Sequence, residues 1–313
     1  MLNPSELALG AINEVGLTKR VTRHEFEAMG TLFYFVAVDA TENLFALLES
    51  RVRDLEKCWT RYSSDSELTK LNLSSGNSVE VSDDLLTLVQ EMQHGYELTD
   101  GAFDPSILSE MMKRGFTTDD EILNEQLGVT TKTINFKDVV LDSEAHSVTL
   151  PHGVGIDAGG IGKGLAADMI AELAVTTGTA GIAVFAGGEV SARGGAPTHE
   201  GWTIGIENPW DEDDMLDVVA LHNGGIATSS IEARNVAGFN HLVNPKTGQN
   251  FDTDVVQATV LCERAVDAEI LAKSCFAYDC QESIAMIEQV GAQALLVDRD
   301  GNIYRSQGWE DFS

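Results

Sequence analysis

Between Gly155 and Asp168 the sequence reads GIDAGGIGKGLAAD: five glycines in the first ten residues, a lysine among them, then a run with helical spacing. Glycines at 159, 160, 162 and 164 remove Cβ atoms and admit unusual φ, so the backbone here can approach something closely. Residues 162–174 place Leu165, Ala166, Met169, Ile170, Leu173 and Ala174 on one helical face. The start of such a helix offers unpaired N–H groups and the positive end of its dipole. Lys163 adds a full charge. From the residues alone two readings stand: a tight packing contact, or an anion cradle. The spacing is neither G-x-x-x-x-G-K-[ST] nor G-x-G-x-x-G.

Around this stretch, strand and helix patterns mix along the whole chain. Residues 30–38 (GTLFYFVAV) are β-branched and aromatic, as a strand requires. Residues 41–60 carry Leu44, Leu47, Leu48, Val52 and Leu55 at helical spacing, and 82–98 repeat the pattern behind Ser82, a candidate N-cap. Residues 139–151 read as a hairpin. Strands follow at GIAVFAGGEVSARG, WTIGIENP, DVVALHNGGIATSS and 255–262, then a helix over 265–278 and a tail hairpin turning at Asp300-Gly301. Residues 1–20 look peripheral, and no repeat or low-complexity linker appears. With 313 residues and 43% hydrophobic content, the expectation is a single large α/β (α+β mixed) domain over 21–313, built of two intertwined lobes.

The charge balance narrows the partners. Fifty acidic against 20 basic residues give a net charge of −30. Such a surface repels nucleic acid and anionic membrane, and an anionic ligand as well. A phosphate site must therefore be shielded locally by amides, a cation or a metal. The acidic run at 210–217 (WDEDDMLD) reads as a solvated loop or strand entry, with a metal site as the alternative. The four cysteines, at 58, 262, 275 and 280, form no C-x-x-C and no zinc spacing, which suits reduced thiols in a cytoplasmic protein. The first residues show no basic n-region or cleavage site, and no apolar run has the length of a membrane span.

Several segments, taken in order, carry a more specific signal: EAMGTLF, WTRYSSDSELTKLN, DGAFDPSI, the Gly-rich stretch, FAGGEVSARG, WTIGIENP, GGIATSS, NHLVNPKTG and DAEILAKSCF. Together they resemble the signature segments of the ApbE-type flavin transferases (FAD:protein FMN transferases), from about Glu27 to about Phe276. The resemblance implies an α/β protein with FAD in a cleft between its lobes. It also implies cleavage of the FAD pyrophosphate with Mg2+, transfer of FMN to a Ser or Thr hydroxyl of an acceptor protein, and release of AMP. That is phosphoryl transfer, which needs a cation on the diphosphate, donors on its oxygens and a base for the attacking hydroxyl.

The same resemblance assigns candidate roles. IDAGGIGKGLAAD parallels the family's D-L-G-G-I-A-K-G-Y-A-x-D, which puts Gly159, Gly160, Lys163 and Asp168 against the nucleotide and the backbone of Gly162 near the metal. A surface cation and a helix-surface acid are the plain alternatives for Lys163 and Asp168. Met29, Gly30 and Thr31 stand at the family's M-G-T, although Met29 suits a core as well. Gly187, Gly188, Glu189 and Thr228 complete the expected cofactor-binding set. NHLVNPKTG stands where the family has H-H-I-I-D-P-R-T-G. His241 is the candidate base, because imidazole takes a proton near neutral pH, while Asn240 and Asn244 replace a His and an Asp.

The largest departure lies in AEILAKSCF, against A-D-A-L-A-T-A-L-F. The family's metal-binding Asp and Thr become Glu269 and Lys273. Glu269 remains a hard oxygen donor. A charged Lys is not a metal ligand, and at i+4 it reaches Glu269. Lys273 is thus either an exposed salt bridge or a cation standing in for the metal. A second register makes Asp267 the metal ligand. The expected activity is FMN transfer; a catalytically weakened FAD-binding protein, or an FAD pyrophosphatase with no acceptor, is the alternative.

Overall fold

The computed structural model describes residues 19–74, 76–231, 235–236, 239–240 and 242–313. Eight α-helices are described: α1 (Leu44–Trp59), α2 (Glu67–Asn72), α3 (Asp83–Leu98), α4 (Leu108–Lys113), α5 (Glu121–Thr130), α6 (Gly162–Thr176), α7 (Ala265–Ser274) and α8 (Cys280–Gln289). The chain divides into two compact units, each drawn from separated segments: residues 1–52, 163–230 and 253–313 in one, 53–162 and 231–252 in the other.

The first unit is built on an eight-stranded sheet. Its strands are β1 (Val21–Ala28), β2 (Thr31–Val38), β3 (Gly181–Ala186), β4 (Glu189–Gly194), β7 (Gly224–Ser230), β8 (Val255–Cys262), β9 (Gln293–Asp298) and β10 (Ile303–Arg305), in that spatial order. Every neighbouring pair runs antiparallel. Between β4 and β7, the strands β5 (Trp202–Asn208) and β6 (Asp211–Leu221) form a separate hairpin. Trp202, Ile204, Ile206, Val219 and Leu221 of this hairpin pack with Tyr34, Val36, Val190, Ala192, Ile226 and Leu295 of the sheet, and with Trp309. The acidic run at 210–217 therefore enters a strand. In β4 side chains alternate between the two faces of the sheet. Val190 and Ala192 join this core, which leaves Glu189, Ser191 and Arg193 for the opposite face, where α7 packs on β4, β7 and β8.

Two readings change in detail. The strand expected over 30–38 begins at Thr31, because Met29 and Gly30 both have positive φ (51° and 68°) and make the two-residue turn between β1 and β2. The helix expected over 265–278 ends at Ser274 and tightens into a 3-10 turn at Cys275–Ala277, and Asp279 then caps α8 through Glu282 N at 2.8 Å. Residues 1–18 of the expected peripheral segment lie outside the described residues.

In the second unit Ser82 caps α3 as its sequence implies, accepting from Leu85 N at 3.3 Å. The hairpin read at 139–151 forms between Val140–Asp142 and Ser147–Thr149, and Ser78–Glu80 adds a third strand to it. Leu108, Leu123 and Leu127 bring α4 and α5 together in a small core of their own. Among the described residues no helix is long and apolar enough to cross a membrane.

Candidate functional site

In the first unit, two sheet turns converge with the head of α6. The β3–β4 turn passes through Gly187, whose φ is +72°. A Cβ there would lie 2.7 Å from Thr31 Oγ1, and a Cβ on Gly188 would lie 2.8 Å from the carbonyl oxygen of Thr228. Gly187 N donates to Leu32 O (3.2 Å) and Thr228 N to Gly188 O (2.9 Å). The Thr228 hydroxyl pairs with that of Thr259 at 2.9 Å. Thr31, Gly187, Gly188 and Thr228, far apart in sequence, thus share one end of the sheet, with Met29 and Gly30 one turn away. The next residue, Glu189, opens β4.

Glu189 leads to a cluster of four charges. Lys163, in the first turn of α6, is ion-paired with Glu189 and lies 3.3 Å from Glu269 Oε1. Lys273 donates to the same Glu269 oxygen at 2.9 Å and lies 3.9 Å from Glu189 Oε1. The second oxygen of Glu269 accepts from Gly164 N at 2.8 Å. The helix-start amide that sequence offers to an outside anion is therefore already held by an internal carboxylate, as the dipole favours. Gly164 is required here: its Cβ would stand 2.7 Å from Ala265 O and 3.0 Å from Glu269 Oε2. The Glu269 side chain is fully buried, which removes the exposed-salt-bridge reading of Lys273.

Titration follows from this geometry. Burial acts against the Glu269 charge, but Lys163, Lys273 and the Gly164 amide outweigh it and hold the carboxyl down at about 2. Burial, helped by the neighbouring charge of Glu269, holds Glu189 above the usual carboxylate range despite the two lysines. Burial works against the Lys163 ammonium, yet the carboxylates of Glu189 and Glu269 prevail and raise its pKa. Glu189 Oε2 is buried without a hydrogen-bond partner among the described residues.

Asp168 sits farther along α6 and serves a different contact. Its oxygens accept from Ala265 N (3.1 Å) and Val266 N (3.0 Å), the opening amides of α7, and from Ser191 Oγ (2.6 Å); Arg193 pairs with it at 3.3 Å. α7 has no side-chain cap of its own at Arg264, so Asp168 caps it from another helix. Burial raises the Asp168 pKa against these donors. Asp267 is held by Arg264 in a two-pronged pair at 2.7 and 2.8 Å. Sequence reasoning did not single out Ser191 and Arg193; the available signal was the polar alternation Glu189, Ser191, Arg193 along one strand.

In the second unit the Gly-rich segment is pinned by the motif WTRYSSDSELTKLN. Arg61 forms a buried ion pair with Asp157, whose other oxygen accepts from Gly159 N at 2.6 Å. Asn72 holds Ile156 from both sides, accepting from its N–H at 2.8 Å and donating to its carbonyl at 2.9 Å. Gly159 and Gly160 lie in a 3-10 turn (Ala158–Gly160), and Gly162 opens α6. The NPKTG turn is secured by the buried Arg114, which donates to Gly248 O (3.0 Å) and Asn250 Oδ1 (2.8 Å). His241 lies outside the described residues.

The Mg2+ implied by the resemblance does not fit the donors at Glu269. One oxygen carries two ammonium groups and the other an amide N–H. An ion bound at about 2.1 Å would replace these contacts and meet two positive charges at short range, a repulsion of several kcal/mol even at an interior dielectric typical of proteins. Among the described residues no group of three or more His, Cys, Asp or Glu side chains has metal-holding geometry.

A family model described as the ApbE family matches residues 29–296. The FAD:protein FMN transferase of Haemophilus influenzae is 25% identical over 297 residues, 88% of this chain and 86% of that protein. The protein of the same name from Treponema pallidum is 26% identical over 295 residues, 87% and 80% of the two chains. The crystal structure of the ApbE protein from Thermotoga maritima superposes with a TM-score of 0.83 at 27% identity, covering 94% of this chain and 99% of that one.

Proposed function

The chain belongs to the ApbE family, and on that premise we propose that it is an FAD:protein FMN transferase acting on a Ser or Thr hydroxyl of an acceptor protein. The acceptor oxygen attacks the phosphorus of the FMN half of FAD. The bond from that phosphorus to the bridging oxygen breaks, and AMP leaves. The hydroxyl proton passes to His241, the base in this reading. FAD is the substrate.

The observation that carries the reading is the charge cluster at the head of α6. Lys163 and Lys273 sit where the chain's net charge of −30 would otherwise repel a dinucleotide. In this reading their ammonium groups bind and polarise the diphosphate, and so stabilise charge developing on the leaving phosphate. Met29, Gly30, Thr31, Gly187, Gly188 and Thr228 shape the adjoining flavin contact, with backbone close approach as the glycines allow. Gly160 presents its amide to the nucleotide in this reading, and Gly159, whose N–H is held by Asp157, shapes the turn beside it. Glu189 orients Lys163, and Asp168 holds α7, and hence Glu269 and Lys273, in register with α6. Residues 21–313 act as one transferase domain. We place the protein in the cytoplasm, with its four cysteines as free thiols, three of them buried.

One observation favours a second reading. With Glu269 held by two ammonium groups, a +1 charge replaces a stronger Lewis acid, so turnover is slow or the protein only carries FAD. Incubation with FAD and an acceptor bearing a flavinylation-site Ser or Thr separates the two. Transfer predicts AMP release together with an acceptor heavier by one FMN less water. AMP release without the mass shift marks a pyrophosphatase. FAD binding with neither marks a carrier and contradicts the proposal.

A further inference from the structure

We infer that this chain grips the diphosphate of its dinucleotide with a resident pair of ammonium groups, Lys163 and Lys273, and needs no divalent cation to do so. The inference rests on the transferase reading for the identity of the ligand.

The cluster is turned inside out for an ordinary ion-pair network. The two carboxylate side chains are sealed, at 3% exposure for Glu189 and none for Glu269, while the two lysine side chains keep 18% and 14%. The anions lie inward, and what exposure the cluster has belongs to the two lysine side chains. An internal network made for stability gains little from such an arrangement, because burying charge costs about as much as pairing returns. An anion site needs it.

The donor count agrees. Each ammonium has three N–H bonds. Lys163 directs two contacts, to Glu189 and Glu269; Lys273 has one within hydrogen-bond distance, to Glu269, with Glu189 Oε1 beyond at 3.9 Å. Among the described residues about three N–H groups are left for an incoming ligand, and a diphosphate supplies acceptor oxygens on adjacent phosphorus atoms. Glu269 sets the spacing of the pair, since both ammonium groups meet at its Oε1 while Gly164 N fixes Oε2. A divalent ion would have to expel these contacts to reach Glu269.

The test uses the full chain, freed of flavin, titrated with FAD by calorimetry in EDTA and again in excess Mg2+. The dissociation constants are expected to agree within about twofold. Lys273→Met is expected to weaken FAD in EDTA by about tenfold or more, Lys273→Arg to retain most of the affinity, and riboflavin, which lacks the diphosphate, to bind all three proteins alike. Matching thermal melts for the three proteins rule out loss of fold. FAD binding that requires Mg2+, or a Lys273→Met protein that binds FAD as the wild type does, overturns the inference and leaves the transferase reading standing. No FAD binding in either buffer overturns both.

Discussion

Gly164 has no room for a methyl group. A Cβ there would press on the backbone oxygen of Ala265 as well as on Glu269, so α6 and α7 would have to separate. Gly164→Ala is expected to lower stability by about 1–3 kcal/mol, the usual cost of overpacking, read as a lower Tm. Glu269 yields a pH prediction. Its folded pKa of about 2 lies below the unfolded value near ~4.3. Its contribution is therefore complete above that unfolded value and is lost as pH falls through the folded one. Glu269→Gln should flatten the loss of stability between roughly pH 4 and 2, measured by denaturant titration at stepped pH. The residues themselves were legible: Lys163, Glu189, Glu269 and Lys273 all stood out in the sequence. Their pairing was less so. The i,i+4 contact of Lys273 with Glu269 follows from helix spacing, whereas the Lys163–Glu269 contact joins residues 106 apart and depends on the fold.

Helices α6 and α7 keep their mutual register through Asp168. Two amides at the start of α7 have no local cap and donate to this carboxylate on a neighbouring helix. Asp168→Ala should cost about 1–2 kcal/mol, as loss of an N-cap does. Because α7 carries both Glu269 and Lys273, the same variant should weaken FAD binding while leaving riboflavin binding near its wild-type value. Most elements could be read because their periodicity is strong, as in α1, α3, α6 and the strands around Gly187-Gly188. β1 escaped because its run VTRHEFEA is heavily polar. His24 and Phe26 nonetheless stack against Phe45 and Phe33. Helix α8 was not marked either; its cap at Asp279 follows a 3-10 turn that ends α7 early.

At the scale of the molecule, the chain closes one large antiparallel sheet from segments before and after residues 53–162, and the order of strand and turn brings Thr31, Gly187, Thr228 and the α6 head to a common end of the sheet. That convergence could be expected only through the family resemblance, since strand order is not written in local periodicity. His241→Ala, removing the proposed base, should lower FMN transfer by about 10²–10⁴-fold while FAD binding persists, as followed by acceptor mass and calorimetry in parallel. The most direct test of the account is a crystal structure of the full chain with FAD, grown in EDTA. It should show diphosphate oxygens within hydrogen-bond distance of both Lys163 Nζ and Lys273 Nζ. A dinucleotide bound elsewhere, with the four-charge cluster untouched, would contradict it.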